Sequence, residues 1–123
     1  MNISIQPTQL VFRSNVKGLY KQGKLPSVTT GLYGDQLTKE NVTDEHVVPK
    51  SKGGTKKDGN TALATAQSNF ERGNKSLSEV LTEEAAEAYL KQFEGVKIPE
   101  DGFDGDAYIR SLWASIKRAM KMK

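Results

Sequence analysis

The sequence predicts an α+β domain in which a β-hairpin and a short helix form the centre and helices at both ends of the chain brace it. Two short runs of β-forming residues are separated by a long polar loop, and a short helical segment follows the second run. Apolar residues at helical spacing precede and follow this region. The length of 123 residues fits one domain over 1–123, with a central motif over about 32–77 and a helical part over about 78–123.

A first helix is predicted from Thr8 to about Lys21. Apolar residues recur there at helical spacing, and Gly23 and Pro26 end the pattern. Glycines interrupt any regular pattern between residues 27 and 40. This stretch is therefore predicted to be a loop or a short hairpin.

Two strands are predicted over Val42–Val48 and Thr61–Ala66. The residues between them, Pro49–Asn60, are rich in lysine and glycine and are far too polar for a core, so they are predicted to form a loop. Gln67–Lys75 has room for two helical turns, and Gly73 is a natural stop. The central order is thus strand, loop, strand and short helix.

The C-terminal third is predicted to be helical. Ser76 and Glu79 have the spacing of a capping box, and an apolar stripe then predicts one helix that ends near Gly95. A connector follows, and the last segment predicts an amphipathic helix with a basic back and a core-packing face. The two apolar stripes are Leu81, Ala85, Ala88, Tyr89 and Phe93, and Ile109, Leu112, Trp113, Ile116 and Met120.

The composition excludes several classes of protein. Without cysteine the chain has no disulfide framework and no thiolate zinc site. No run approaches the roughly 18 apolar residues of a membrane span, and the N-terminus lacks the pattern of a secretory leader. We therefore expect a cytoplasmic protein with no membrane partner.

Charge is distributed unevenly along the chain, although the net charge is only +3. Residues 1–78 carry eleven Lys/Arg and six Asp/Glu, residues 79–106 carry two and nine, and residues 107–123 carry five and none. Basic segments on both sides of an acidic one indicate a surface that faces a polyanion. Solvated acidic helix faces explain the same pattern, so charge alone leaves nucleic-acid binding undecided.

Three residues stand at a suggestive spacing in the central region. His46 is the only histidine of the chain, Asn60 follows it after the polar loop, and Asn69 lies in the short helix. Taken singly, a histidine is more often structural than catalytic, and an asparagine after a glycine indicates a turn. Their joint placement at the ends of two strands and in the next helix favours a site.

The text around these residues, EHVVPKSKGG, GN and NFERGNK, resembles the HNH nuclease family. The ββα-metal motif of that family runs from an acid–His pair through a P-x-S-x-G-G loop and a central Asn to N-x-x-K-G-N. The resemblance covers roughly residues 32–77. It implies a ββα-metal (HNH) centre and a metal-dependent DNA endonuclease or nickase, of the small stand-alone type that phages and mobile elements carry. A phage-encoded protein would act in the host cytoplasm.

The resemblance implies roles for the site residues. His46 takes the proton from the attacking water, and Asn60 ties the loop across the hairpin behind it. One divalent metal, Mg²⁺ in the first place and Mn²⁺ as an alternative, is held by Glu45 and Asn69. Asp44 is the alternative carboxylate ligand, and Glu45 is favoured by position. Adjacent strand residues point to opposite faces, so the strand is expected to end or distort at His46.

The chain departs from family members that carry a zinc ribbon. Thr65 and Ser68 stand where those members have the second cysteine pair, and the segment GLYGDQLTKEN keeps the surroundings of the first pair without its cysteines. We therefore expect no structural zinc. Stability is left to the flanking helices.

DNA is the expected partner. Lysines of the polar loop flank the site, and two further basic residues follow Asn69. Side chains of this kind bind backbone phosphates irrespective of base sequence, although a solvated loop would have the same composition. The predicted nucleic-acid-binding residues are Lys50, Lys52, Lys56, Lys57, Arg72 and Lys75.

Two other functions stay open on the sequence. One is a catalytically silent nucleic-acid-binding protein on the same fold, and the other is a small regulator that binds a protein partner through its acidic middle helix. The intact set of His46, Asn60 and Asn69 favours the enzyme.

Overall fold

The computed structural model describes residues 15–122 and has mixed α+β architecture. Within these residues, two small antiparallel sheets of two strands each are combined with helices, and three single turns of 3₁₀ helix lie in the connections. The described helices are α1 (Val16–Lys21), α2 (Ala66–Arg72), α3 (Leu77–Val80), α4 (Glu83–Lys91) and α5 (Gly105–Met120), and the strands are β1 (Val42–His46), β2 (Thr61–Thr65), β3 (Lys97–Ile98) and β4 (Phe103–Asp104).

The central hairpin and the helix after it confirm the predicted order. β1 and β2 pair in antiparallel register from Val42 opposite Thr65 to His46 opposite Thr61. Every residue of β2 is buried. This is possible because most of its side chains are small and helices pack around the strand. α2 begins directly after β2, because the Thr65 side chain accepts a hydrogen bond from Ser68 N at 3.0 Å and caps the helix.

The loop before β1 is tied to the start of α2 by hydrogen bonds. A bridge between Thr30 and Gln36 makes this segment a tight hairpin-like turn, as predicted. Asp35 Oδ2 accepts hydrogen bonds from Thr65 Oγ1 at 3.1 Å and from Ser68 Oγ. The Asp35 carboxylate and the hydroxyls of Thr65 and Ser68 thus form a cluster that links the two segments.

α1 covers only the end of the first predicted helix. Asn15 is extended and its side chain caps the helix by accepting from Gly18 N at 2.8 Å, so the helix begins at Val16. Residues 8–14 of the prediction lie outside the described residues. The amide of Val16 donates to Asp58 Oδ1 at 3.2 Å, which connects α1 to the polar loop.

The single helix predicted between Ser76 and Gly95 is wrong, because two helices occupy this region. The capping box of Ser76 and Glu79 is present and starts α3. Leu81 is extended, and Thr82 caps α4 by accepting from Ala85 N at 3.1 Å. A threonine with a free side-chain acceptor favours a new helix start. The phase of the stripe changes as a result: Ala88 is exposed, whereas Ala86 and Leu90 are buried.

α5 packs its predicted apolar face into the core. Leu112 and Ile116 are buried, whereas Trp113 and Met120 at the edge of the stripe are only half-buried. The predicted connector before α5 contains the short pair β3–β4. Asp104 ends this pair and caps α5 by accepting from Asp106 N and Ala107 N at 3.0 and 3.3 Å.

Two buried tyrosines join α4 and α5 to the hairpin. The hydroxyls of Tyr89 and Tyr108 are 2.9 Å apart. Tyr108 donates to Thr61 O at 2.7 Å, and Tyr89 accepts from Leu63 N at 2.8 Å, so both rings are attached to β2. The helices thereby fix the position of the hairpin that carries the candidate site. None of the described helices is both long and apolar enough to cross a membrane.

Candidate catalytic cleft at the end of the hairpin

The last three residues of β1, Asp44, Glu45 and His46, and part of α2 line one cleft. Glu45, His46 and Asn69 are all part of its wall, and its volume of about 470 Å³ lies within the usual range for ligand sites. Regular strand geometry ends at His46. β1 thus ends at the residue where it was expected to end or distort, although His46 itself still pairs with Thr61. That Glu45 and His46 act in one site stays a prediction.

Glu45 is held by two partners inside the protein. Its Oε2 is 3.2 Å from Arg72 Nη1, and both side chains of this ion pair are almost fully buried. The same oxygen accepts a hydrogen bond from the Tyr33 hydroxyl. Burial and the adjacent Glu45 carboxylate raise the pKa of Tyr33, so the hydroxyl stays protonated and remains a donor. Glu45 Oε2 is thus fixed, and no donor to Oε1 is recorded among residues 15–122.

Asn69 is oriented by the strand it faces. Its side-chain nitrogen donates to Asp44 O at 3.0 Å and to Thr43 Oγ1 at 3.2 Å. Because the nitrogen is engaged with β1, the amide oxygen is the atom left for a ligand. Within the described part of the chain no donor reaches this oxygen.

Asn60 has the structural place that was predicted for it. It is buried, and it accepts from Val48 N at 2.9 Å while donating to Val48 O at 2.9 Å and to Thr55 O at 2.8 Å. Val47 N also bonds to Asn60 O at 3.0 Å. These bonds fix the two residues that follow His46 and close the polar loop on the hairpin.

Gly54 allows the polar loop to close this tightly. A Cβ atom at Gly54 would lie 1.6 Å from Val48 O, which is the carbonyl that Asn60 binds. Only glycine fits at so close an approach. The backbone of the loop therefore packs directly against Val48, beside the cleft.

His46 is half-buried at the cleft wall. Its carbonyl oxygen accepts from Arg72 Nη1 at 3.5 Å, so the same guanidinium holds the backbone of His46 and the carboxylate of Glu45. No hydrogen bond to the imidazole is recorded from the described residues. The ring is thus attached to a fixed backbone and is itself available to a water molecule or a substrate.

Asp44 lines the same cleft as Glu45 and is paired with a lysine of α1. Asp44 Oδ2 lies 3.8 Å from Lys17 Nζ in α1. Asp44 also contributes, after burial and nearer partners, to the raised pKa of Tyr89 and Tyr108. Asp44 Oδ2 is therefore engaged by α1. Its other oxygen, Oδ1, is buried with no hydrogen-bond partner in the described region.

The cleft contains the type of oxygen ligand that a hard divalent cation prefers. Mg²⁺ takes oxygen ligands, keeps several of its waters, and commonly uses only one or two protein groups. Glu45 Oε1 and the amide oxygen of Asn69 provide one carboxylate and one neutral oxygen on the same cleft. The part of the chain that is described has no group of three or more His, Asp or Glu placed to hold a metal. The fit therefore depends on this two-residue set.

The predicted phosphate-binding lysines do not all line the same cleft. Lys50, Lys52 and Lys75 line the cleft of His46, whereas Lys57 lines a different one. The Lys56 ammonium lies close enough to Lys50 to lower the pKa of Lys50. Two like charges held together at the surface create a local positive potential that favours an anion.

Arg72 has a different place from the one predicted. Its guanidinium was expected to contact nucleic acid, but the side chain is buried and engaged with Glu45, His46 O and Lys75 O, the last at 3.1 Å. Arg72 is buried because its position in α2 faces the buried Glu45 carboxylate. Tyr33 was missed altogether, because nothing in the spacing of the loop GLYGD shows that its tyrosine reaches residue 45.

No protein-family model, curated protein or solved structure matches this chain.

Proposed function

We propose that the protein is a metal-dependent DNA endonuclease or nickase of the HNH type, in which β1, β2 and α2 form the ββα-metal centre. The observation that supports this most is the convergence of Glu45, His46 and Asn69 on one cleft. A carboxylate, an imidazole and an amide oxygen are the groups that hydrolysis of a phosphodiester needs beside a divalent cation.

His46 acts as the general base in this proposal. An imidazole titrates near neutral pH, and its help in removing a proton from water is worth about 10²- to 10⁴-fold in rate. The fixed backbone of His46 and the free ring support this role. The hydrogen bonds of Asn60 fix Val47 and Val48, the two residues that follow His46.

Glu45 and Asn69 would hold Mg²⁺, with Mn²⁺ as an alternative. When bound, the metal supplies positive charge to the phosphate oxygens and to the leaving oxygen. Tyr33 and Arg72 act on the far oxygen of Glu45 and orient the carboxylate. Asn69 is oriented by β1 in the same way, so each of the two ligands has a second partner that positions it.

A silent nucleic-acid-binding protein is the second candidate, and the Glu45–Arg72 ion pair favours it. A guanidinium at 3.2 Å already neutralises the carboxylate, which weakens the attraction of Glu45 for a cation. On this alternative the cleft binds phosphate through Lys50, Lys52 and Lys75 but does not activate water.

Conversion of supercoiled plasmid to nicked or linear form separates the two candidates. The proposal expects cleavage with Mg²⁺ and none with a chelator, whereas the silent protein shifts the plasmid in a gel without cutting it. Glu45→Ala and Asn69→Ala are expected to need more Mg²⁺ for the same rate, by about 10- to 100-fold. Lys39→Ala is a control, since Lys39 is exposed and lines neither cleft.

A further inference from the structure

A second polar cleft lies on the other side of the loop that carries Lys50 and Lys52. Its volume of about 520 Å³ is similar to that of the first cleft and also within the range of ligand sites. Loop residues form one wall and α5 forms the other. The residues that matter for its chemistry are Gly53, Lys57, Ser111 and Arg118.

The two walls of this second cleft are fastened together. Ser115 Oγ donates to Gly59 O at 2.5 Å. A Cβ atom at Gly59 would lie 3.3 Å from Ser111 Cβ, so the loop and α5 are in close contact at this point. The cleft therefore has a fixed shape, since Asn60, next to Gly59, is also locked to Val48.

The second cleft is positively charged. Lys57 and Arg118 are exposed at its rim. Within residues 15–122 neither side chain has an acidic group at ion-pair distance. A Cβ atom at Gly53 would be 3.4 Å from Arg118 Nη2, so the guanidinium lies against the bare backbone of the loop. A guanidinium, an ammonium and a serine hydroxyl together match a phosphodiester oxygen pair.

The two clefts adjoin through shared elements. Pro49 and Lys50 line the first cleft, and Gly53 and Lys57, a few residues later, line the second. The end of α5 separates in the same way: Ala119 lines the first cleft and Arg118 the second. One polyanion strand that leaves the first cleft over the loop therefore meets the second.

We propose that the second cleft binds a backbone phosphate of the same nucleic acid that enters the first cleft, through Arg118 and Lys57. The choice of nucleic acid as the ligand rests on the proposed function, but the phosphate contact needs no cleavage. Ser111 adds a hydroxyl to the same site. The C-terminal helix is thus part of the binding surface as well as a support for the hairpin, and it sets where the strand runs beyond the reaction centre.

Salt dependence of DNA affinity tests the contact. DNA affinity is measured by fluorescence anisotropy with a labelled duplex, on a His46→Ala background. The double variant Lys57→Ala/Arg118→Ala is expected to have a shallower fall of log affinity with log salt, by up to about 0.9 in slope for each lost phosphate contact. The control pair Lys39→Ala/Lys91→Ala removes the same charge from exposed positions that line neither cleft. Equal slopes for the two double variants would overturn the proposal.

A cross-link maps the strand directly, because the chain has no cysteine of its own. Ser111→Cys carries a photoreactive label in the second cleft, and Ser78→Cys carries it on α3 as a control, since Ser78 is exposed and lines neither cleft. Cross-linking to DNA from residue 111 and not from residue 78 is the expected result. The opposite pattern, or equal yields, contradicts the proposal.

Failure of this inference is distinguishable from failure of the proposed function. If the protein cuts plasmid but gives no cross-link from residue 111, the nuclease proposal stands and the second-cleft proposal fails. If the protein never cuts plasmid but cross-links from residue 111, and its Lys57→Ala/Arg118→Ala variant shows a weaker salt dependence of DNA affinity, the second-cleft proposal stands and the nuclease proposal fails. If the protein binds no DNA, both proposals fail.

Discussion

Arg72 and Glu45 form a buried ion pair, with 3.2 Å between Arg72 Nη1 and Glu45 Oε2 and with less than a tenth of either side chain exposed. Arg72 also reaches the carbonyl of His46. One residue of α2 therefore contacts both candidate site residues at the end of β1. The relationship predicts how stability and activity depend on each other at this site.

Arg72→Ala is expected to destabilise the fold by about 3–5 kcal/mol, because it leaves a buried carboxylate without its counter-charge. Urea denaturation measures the loss. Adding Glu45→Gln to the Arg72→Ala variant removes that charge and should recover part of the stability. A loss in Arg72→Ala no larger than that of the exposed control Lys39→Ala, which is expected within about 0.5 kcal/mol of the parent, contradicts the importance of the pair.

Asn60→Ala is expected to destabilise the protein by about 2–3 kcal/mol. The substitution leaves Val48 N and Val48 O buried without partners, and each such group costs about 1–3 kcal/mol before water re-enters. Asn60→Asp is the matched comparison, since an aspartate still accepts from Val48 N but no longer donates. If Asn60→Ala unfolds at the same urea concentration as the parent, the loop is held by other contacts.

The cluster of Asp35, Thr65 and Ser68 predicts a fold that does not depend on zinc. Asp35→Ala should cost about 1–2 kcal/mol, since two hydroxyls lose their acceptor. Asp35→Asn keeps an acceptor oxygen and should lose less. Calorimetry with and without a chelator is expected to give the same Tm, and elemental analysis is expected to find no stoichiometric zinc. A large fall in Tm on chelation argues against this cluster as the main tie.

Stability should fall above about pH 10. Burial, the largest cause for each, raises the pKa of Tyr33, Tyr89 and Tyr108 in the folded state. Their stabilising contribution is complete below the unfolded pKa of about 10 and is lost as pH rises further, because the unfolded chain then releases protons that the folded protein retains. Each tyrosine contributes a slope of about 1.4 kcal/mol per pH unit.

Urea denaturation between pH 9 and pH 11 measures this slope. Tyr108→Phe should flatten the profile by about the share of one tyrosine, about 1.4 kcal/mol per pH unit, even though it also lowers stability at pH 7. A parent protein whose stability is constant up to pH 11 contradicts the protonated, buried state of these hydroxyls.

The parts of the fold that were predictable depend on neighbours in the sequence. The hairpin, α2 and the capping box follow from local patterns, and the tie made by Asn60 spans only the loop it closes. These features require no knowledge of distant contacts.

The parts that were missed depend on contacts between distant segments. Tyr33 reaches Glu45 from a loop whose composition shows only turns, and Arg118 meets the polar loop from the far end of the chain. Arg72 resembled a surface cation because its charge is visible in the sequence and its burial is not. The break between α3 and α4 was missed because a helical stripe continues through it, although Thr82 was available as a cap.

The initial rate of plasmid cleavage by His46→Ala, at saturating DNA and Mg²⁺, tests the catalytic claim most directly. The account predicts a fall of about 10²- to 10⁴-fold in rate, with unchanged affinity for DNA and an unchanged urea midpoint, because the imidazole has no recorded partner among the described residues. Full activity in His46→Ala, with the parent protein active under the same conditions, would contradict the assignment of His46 as the base.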